Sequence, residues 1–98
     1  MGVIHIVLFK VNADTSEEAI NKALSEVILL KEKIPEIVKA SAGKNFTDRA
    51  KGYEYALVIE LSSKEDLQTY LNHEDHVEFK SQYLTPIMQD CLAFDFEN

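Results

Sequence analysis

The chain has 98 residues, enough for one small domain with a modest core. Seventeen acidic residues against ten basic ones give a net charge of -7 and a pI near 4.8. With no basic stripe, that balance argues against nucleic acid and against an anionic membrane surface as partners. Apolar residues make up 46% of the chain, a surplus that burial against a second subunit would absorb.

The opening segment VIHIVLFKV (3–11) is rich in β-branched residues and reads as a strand. Val3, His5, Val7, Phe9 and Val11 share one parity, and Ile4, Ile6 and Leu8 the other. Both faces are apolar, so both call for cover. The apolar run has no basic head and is too short for a signal peptide or a membrane span. With a lone cysteine, Cys91, unable to form an internal disulfide, the expected location is a reducing, cytoplasmic compartment.

A helix is expected next. Thr15 and Glu18 have capping-box spacing, and Glu17 and Glu18 suit the positive end of a helix. Ile20, Ala23, Leu24, Val27, Leu30 and Ile34 recur at steps of three and four before Pro35 stops the run. Residues 36–46 form a weaker strand candidate and 46–54 a polar loop. YALVIEL (55–61) is a clear strand, with Tyr55, Leu57, Ile59 and Leu61 on one face.

Ser62 with Glu65, or Ser63 with Asp66, opens a second helix over 62–73. Residues 74–89 read as a third helical piece with Val77, Phe79, Tyr83, Leu84, Ile87 and Met88 inward and Pro86 near its end. CLAFDFE (91–97) alternates as a closing strand. The order β-α-β-β-α-α-β is a split βαβ pattern. Helices on one face leave the other face of the sheet bare, and two copies pressed sheet to sheet would cover it, as a symmetric homodimer.

Chemistry concentrates in YLNHEDHVEF (70–79). Tyr70, His73 and His76 are spaced by three, and Asn72, Glu74 and Asp75 make a helix break near His73 the expected local structure. A break there would swing His76 toward Tyr70. His76 then suits a general base, with an ordinary pKa near 6.5. Tyr70, a poor base, suits a hydrogen-bond donor to a carbonyl oxygen becoming an enolate. His5 interrupts an apolar strand face and needs a buried partner or a ligand. The competing reading makes His5 a satisfied core residue, Tyr70 core packing and His73 a solvated junction. HEDH has neither the cysteines of a structural zinc site nor the spacing of a zinc protease, so no metal is expected. SAGKNF (41–46) lacks a phosphate-binding glycine pattern, and Cys91, beside Asp90, reads as structural.

Taken together and in order, HIVLFKV, GYEYALVIEL, YLNHEDHVEF and AFDFE resemble the stress-response dimeric α+β barrel domains over nearly the whole chain. The resemblance implies a ferredoxin-like βαββααβ monomer with a four-stranded antiparallel sheet, two of which pair into a barrel. It also implies two alternative activities: a non-catalytic protein binding a small hydrophobic or aromatic ligand, or a cofactor-free cyclase or lyase. A plant polyketide cyclase of the family closes its substrate by intramolecular aldol condensation, and its catalytic tyrosine and histidine match Tyr70 and His76. By the same resemblance His5, Val7, Phe9, Leu57 and Ile59 fall at pocket-lining strand positions. Leu24 and Val27 fall on the helix that walls the pocket, where that cyclase carries aromatics, and His73 and Phe79 complete the expected lining.

Overall fold

The computed structural model describes residues 2–98. Strand β1 (Val3–Val11) leads into helix α1 (Glu17–Lys33), followed by β2 (Ile37–Lys44) and β3 (Tyr55–Leu61). Two short helices follow, α2 (Lys64–Asn72) and α3 (Glu74–Phe79), then a π-helical turn (Lys80–Leu84) and β4 (Met88–Glu97). The strands form one sheet in the order β2-β3-β1-β4, every neighbouring pair antiparallel. This is the ferredoxin-like α+β arrangement, with the first and third strands at the centre. No helix among the described residues is long and apolar enough to cross a membrane.

Strand parity decides the two faces. Val3, His5 and Phe9 of β1 and Leu57, Ile59 and Leu61 of β3 are buried beneath the helices. His5 lies opposite Ile59 on one side and Asp95 on the other. Val27 and Leu30 of α1 and Ile34, which caps its end, close over this face together with Leu67 and Tyr70 of α2 and Phe79 of α3. Ile59, at 0% exposure, sits on a central strand within the main core cluster. Ile59→Ala is therefore expected to cost about 2–5 kcal/mol of unfolding free energy, read as a lowered urea midpoint with an unchanged slope.

The other face carries Ile4, Ile6 and Leu8 from β1, aligned with Phe96, Phe94 and Leu92 of β4. Leu92, Phe94 and Phe96 are exposed, and Val58 of β3 lies beside Ile6. An apolar sheet face open along several strands is unusual for a small acidic chain.

The element boundaries differ from the sequence expectation at the start of α1, at the third helical piece and at the closing strand, and the open choice at α2 is resolved. The cap of α1 is Ser16, whose hydroxyl accepts from the Ala19 amide at 3.1 Å, in place of Thr15. Of the two serines that suit the start of α2, Ser63 is the cap, accepting from the Asp66 amide at 3.1 Å. The third helical piece is α-helical to Phe79 and continues as the π turn to Leu84, short of 89, and the closing strand begins at Met88 and not at 91. Val77, expected inward, is exposed. Helix α3 starts afresh after His73, so His76 and Phe79, three apart, take the inward side and leave Val77 outside.

Candidate functional site

Helix α2 ends at Asn72 because His73 leaves helical geometry, with φ -64° and ψ 137°. His73 serves both helices at once. It caps the end of α2 through its amide, and its Nδ1 accepts from the Asp75 amide at 3.1 Å at the start of α3. This is the break expected near position 73. It reorients the chain so that His76 folds back on α2, where its Nδ1–H donates to the Leu71 carbonyl at 3.0 Å. That carbonyl belongs to the last turn of α2 and has no helical partner of its own.

The bond fixes the tautomer. A carbonyl can only accept, so Nδ1 carries the hydrogen and Nε2 of the neutral ring holds the free lone pair. The ring centroid of His76 lies 4.4 Å from that of Tyr70, tilted by 46°. On the far side, His5 meets Tyr70 edge-on, with centroids 5.7 Å apart. Tyr70, only 1% exposed, is thus held between the two imidazoles. His5 Nδ1–H donates to the Asp95 carboxylate, which orients the His5 ring and leaves its Nε2 as the remaining polar atom.

Burial lowers the pKa of His76 below its ordinary value. The Leu71 bond opposes this, and the Lys80 ammonium adds to it, as do the neighbouring His5 and His73 rings. Burial alone raises the Tyr70 phenol far above its usual range. The first group is therefore a neutral base at neutral pH, and the second a permanent O–H donor.

Both border one cavity of about 310 Å³. Its floor is buried: His5, Leu57, Tyr70, His76, Phe79 and Leu84. Its rim is exposed: Lys80, Thr85, Cys91 and Ala93, with Val7, Leu71 and Met88 between. A larger depression, about 420 Å³, opens on the other face of the sheet among Leu8, Phe46, Tyr53 and Val58. No histidine lines it, and it has no acid–base pair, so the chemistry points to the smaller cavity.

Of the positions expected to line a pocket, His5, Val7, Leu57, Tyr70, His76 and Phe79 meet at this cavity. Phe9, Leu24, Val27, Ile59 and His73 do not. Phe9 stacks on Tyr55 with centroids 5.7 Å apart. Val27 and Ile59 are core, and Leu24 packs against the cluster of Ile20, Ala23 and Ile87. The reason is that α1 packs chiefly over β2, while the cavity lies between β1, β4 and the α3–π segment. His73 is occupied as a cap. Cys91, read as structural, is exposed at the rim.

Asp95, Lys80 and Thr85 join the site without a place in the sequence reading. A signal exists for Asp95: in the closing strand it shares parity with Cys91 and Ala93, the side facing the helices. None exists for Lys80 and Thr85, because they depend on the π turn. Among the described residues, no three histidine, cysteine or acidic side chains converge as metal ligands would.

A four-stranded antiparallel sheet with helices on one face and a histidine–tyrosine–histidine stack beneath them defines a ferredoxin-like α+β domain with a buried polar pocket. More particularly, the chain belongs to the stress responsive A/B barrel domain family, whose model matches residues 3–98. It is 28% identical over 92 residues to a stress-response A/B barrel domain-containing protein of Arabidopsis thaliana. That match takes in 94% of this chain and 35% of the plant protein, so the chain spans about a third of that relative's length.

Among solved structures, a dimeric protein of unknown function with a ferredoxin-like fold from Bacteroides fragilis is similar at 28% identity and a TM-score of 0.85, covering 99% of this chain and 96% of that one. A dimeric ferredoxin-like protein from Thermobifida fusca is similar at 26% identity and a TM-score of 0.87, covering 100% and 92%. The hydroxynitrile lyase of Passiflora edulis shares the fold, with a TM-score of 0.88 at 20% identity and coverage of 97% and 91%.

Proposed function

We infer that the chain acts as a homodimer joined through its outer sheet faces, each subunit binding a small, largely apolar carbonyl compound in the 310 Å³ cavity and moving a proton on it without an organic cofactor. The observation that carries this reading is the convergence of Tyr70, His76 and His5 on one pocket whose other walls are mostly apolar. The described dimers among its structural neighbours and the open apolar face support the assembly.

The chemistry follows from the two protonation states. Tyr70 O–H donates to a substrate carbonyl oxygen. His76 Nε2 takes a proton from the adjacent carbon, and the C–H electron pair becomes the enolate that Tyr70 stabilises. The enolate carbon attacks a second carbonyl of the same molecule, forming a C–C bond. The resulting alkoxide recovers the proton from His76. The sequence is an intramolecular aldol closure, and its reverse is a lyase reaction using the same groups.

The test is a screen of β-polyketide and aromatic aldehyde substrates with the wild type, His76→Ala and Tyr70→Phe. Turnover by the wild type is expected to drop about 10²-fold or more in Tyr70→Phe, which removes one donor to the developing oxyanion, with the circular dichroism spectrum unchanged. Equal rates in all three proteins would sink the catalytic reading. Ligand binding without turnover would leave a binding protein.

A further inference from the structure

The cavity wall carries a single permanent charge, that of Lys80. In a chain of net charge -7 this is a notable local inversion. Lys80 takes part in none of the salt bridges among the described residues, which engage Lys22, Lys64, His5 and His73. The nearby acids of α3 do not neutralise it across the pocket: Asp75 and Glu78 line a different cleft, toward Lys33 and Tyr83 of the α1 side. Asp95 is engaged by His5.

The backbone explains how Lys80 comes to this position. The segment Lys80–Leu84 is a π turn, closed by the Thr85 amide donating to the Lys80 carbonyl at 2.8 Å. In an α-helix, residues five apart diverge around the axis. The wider π turn brings them nearly above one another, so Lys80, Leu84 and Thr85 all border the cavity. Leu84 is buried in its wall, while Lys80 and Thr85 are exposed at its rim. A cation and a hydroxyl therefore stand at the mouth of an apolar cavity whose acid–base groups lie at its floor.

We propose that Lys80, with Thr85 beside it on the π turn, is the specificity element of this site and selects elongated apolar carbonyl compounds that end in a carboxylate. The carboxylate sits at the rim on the Lys80 ammonium, the apolar body runs past Val7, Leu57 and Leu84, and the reacting carbonyl reaches Tyr70 and His76. This rests on the cavity being a small-molecule site. Lys80 and His76 border the same cavity, as a ligand spanning both would require, and the Lys80 ammonium disfavours protonation of His76.

The experiment compares phenylbutyrate, its methyl ester and phenylbutanol by titration calorimetry, with amide chemical-shift mapping, against the wild type, Lys80→Gln, Lys80→Arg and Lys80→Glu. The wild type is expected to bind the carboxylate about fivefold more tightly than the ester or the alcohol, the upper range for a solvent-exposed ion pair, with shifts at Tyr70 and His76. Lys80→Gln should erase that preference and leave alcohol binding unchanged, Lys80→Arg should keep it, and Lys80→Glu should reverse it. Equal binding of all three probes by the wild type, or parallel weakening of carboxylate and alcohol in Lys80→Gln, overturns the assignment and leaves the pocket reading intact. Failure of every probe to shift Tyr70 and His76 overturns both. A carboxylate preference that persists in a chain showing no turnover keeps the Lys80 assignment and removes the catalytic one.

Discussion

His76→Ala is expected to lower turnover by about 10²–10⁴-fold, the range contributed by a positioned general base, while the protein stays folded. The magnitude follows from the absence of a substitute. His5 also keeps a free Nε2, but its ring stands across Tyr70 from His76, 5.7 Å from the tyrosine ring, so it is out of place for the carbon that His76 serves. Tyr70 is held protonated by burial. A pH profile separates loss of the base from loss of shape. Because burial depresses the His76 pKa, the wild-type kcat/KM should rise with pH through a midpoint below the ordinary value of about 6.5 and stay flat through neutrality. His76→Ala should lack that acid limb. Lys80→Gln should move the limb upward, since it removes one of the charges that disfavour the imidazolium.

The same shift has a signature in stability. Between the depressed native pKa and about 6.5, the unfolded chain binds the proton at His76 and the native chain does not. Stability therefore rises with pH across that window. The contribution is fully present above about 6.5 and is lost as pH falls through the native value. An acid limb with its midpoint above 6.5, or one that survives in His76→Ala, would remove His76 as the base.

Much of this site is readable from short-range pattern. Strand parity puts His5 with Val7 on one face of β1 and Leu57 with Ile59 on one face of β3, but with both faces of β1 apolar it leaves open which face the helices take; the β1–β3 register joins the two sets. The polar run Asn72-His73-Glu74-Asp75 announces a chain break, and the break is what lets Tyr70 and His76, six apart in sequence, pack at 4.4 Å. What escapes the sequence is set by contacts that pattern does not encode. Asp95 meets His5 across 90 residues, and only the strand register makes them opposite. The π turn depends on how the Phe79–Met88 segment must bridge from α3 to β4. An α-helical reading of that stretch does not bring Lys80 and Thr85 to the same side. Parity likewise groups Phe9 with His5 and Ile59 with Leu57, but does not give the lateral placement of α1 over β2 that puts Phe9 and Ile59 in the core and away from the cavity.

Phe94→Glu is expected to convert a homodimer to a monomer at micromolar concentration, with the subunit fold retained. Phe94 lies opposite Ile6 in the β1–β4 ladder, close to Phe96, with ring centroids 6.1 Å apart, and is 61% exposed in the isolated subunit. In a two-fold symmetric pairing of sheets each substitution acts twice. Each copy forfeits burial of a phenyl ring, about 1.5–3 kcal/mol. Each also brings a carboxylate whose desolvation costs several kcal/mol when no partner charge meets it. Together these raise the dissociation constant by at least about 10³-fold. Sedimentation velocity distinguishes the outcomes, and Val77→Glu supplies the control. Val77 is similarly exposed and apolar but lies on α3, away from the sheet, so it should leave the dimer intact. A wild type that sediments as a monomer, or dissociation by Val77→Glu but not by Phe94→Glu, would place the contact elsewhere than on the open face of the sheet. The cavity, on the helix side, should be unaffected by dissociation, so phenylbutyrate binding by monomeric Phe94→Glu is expected to match that of the wild type.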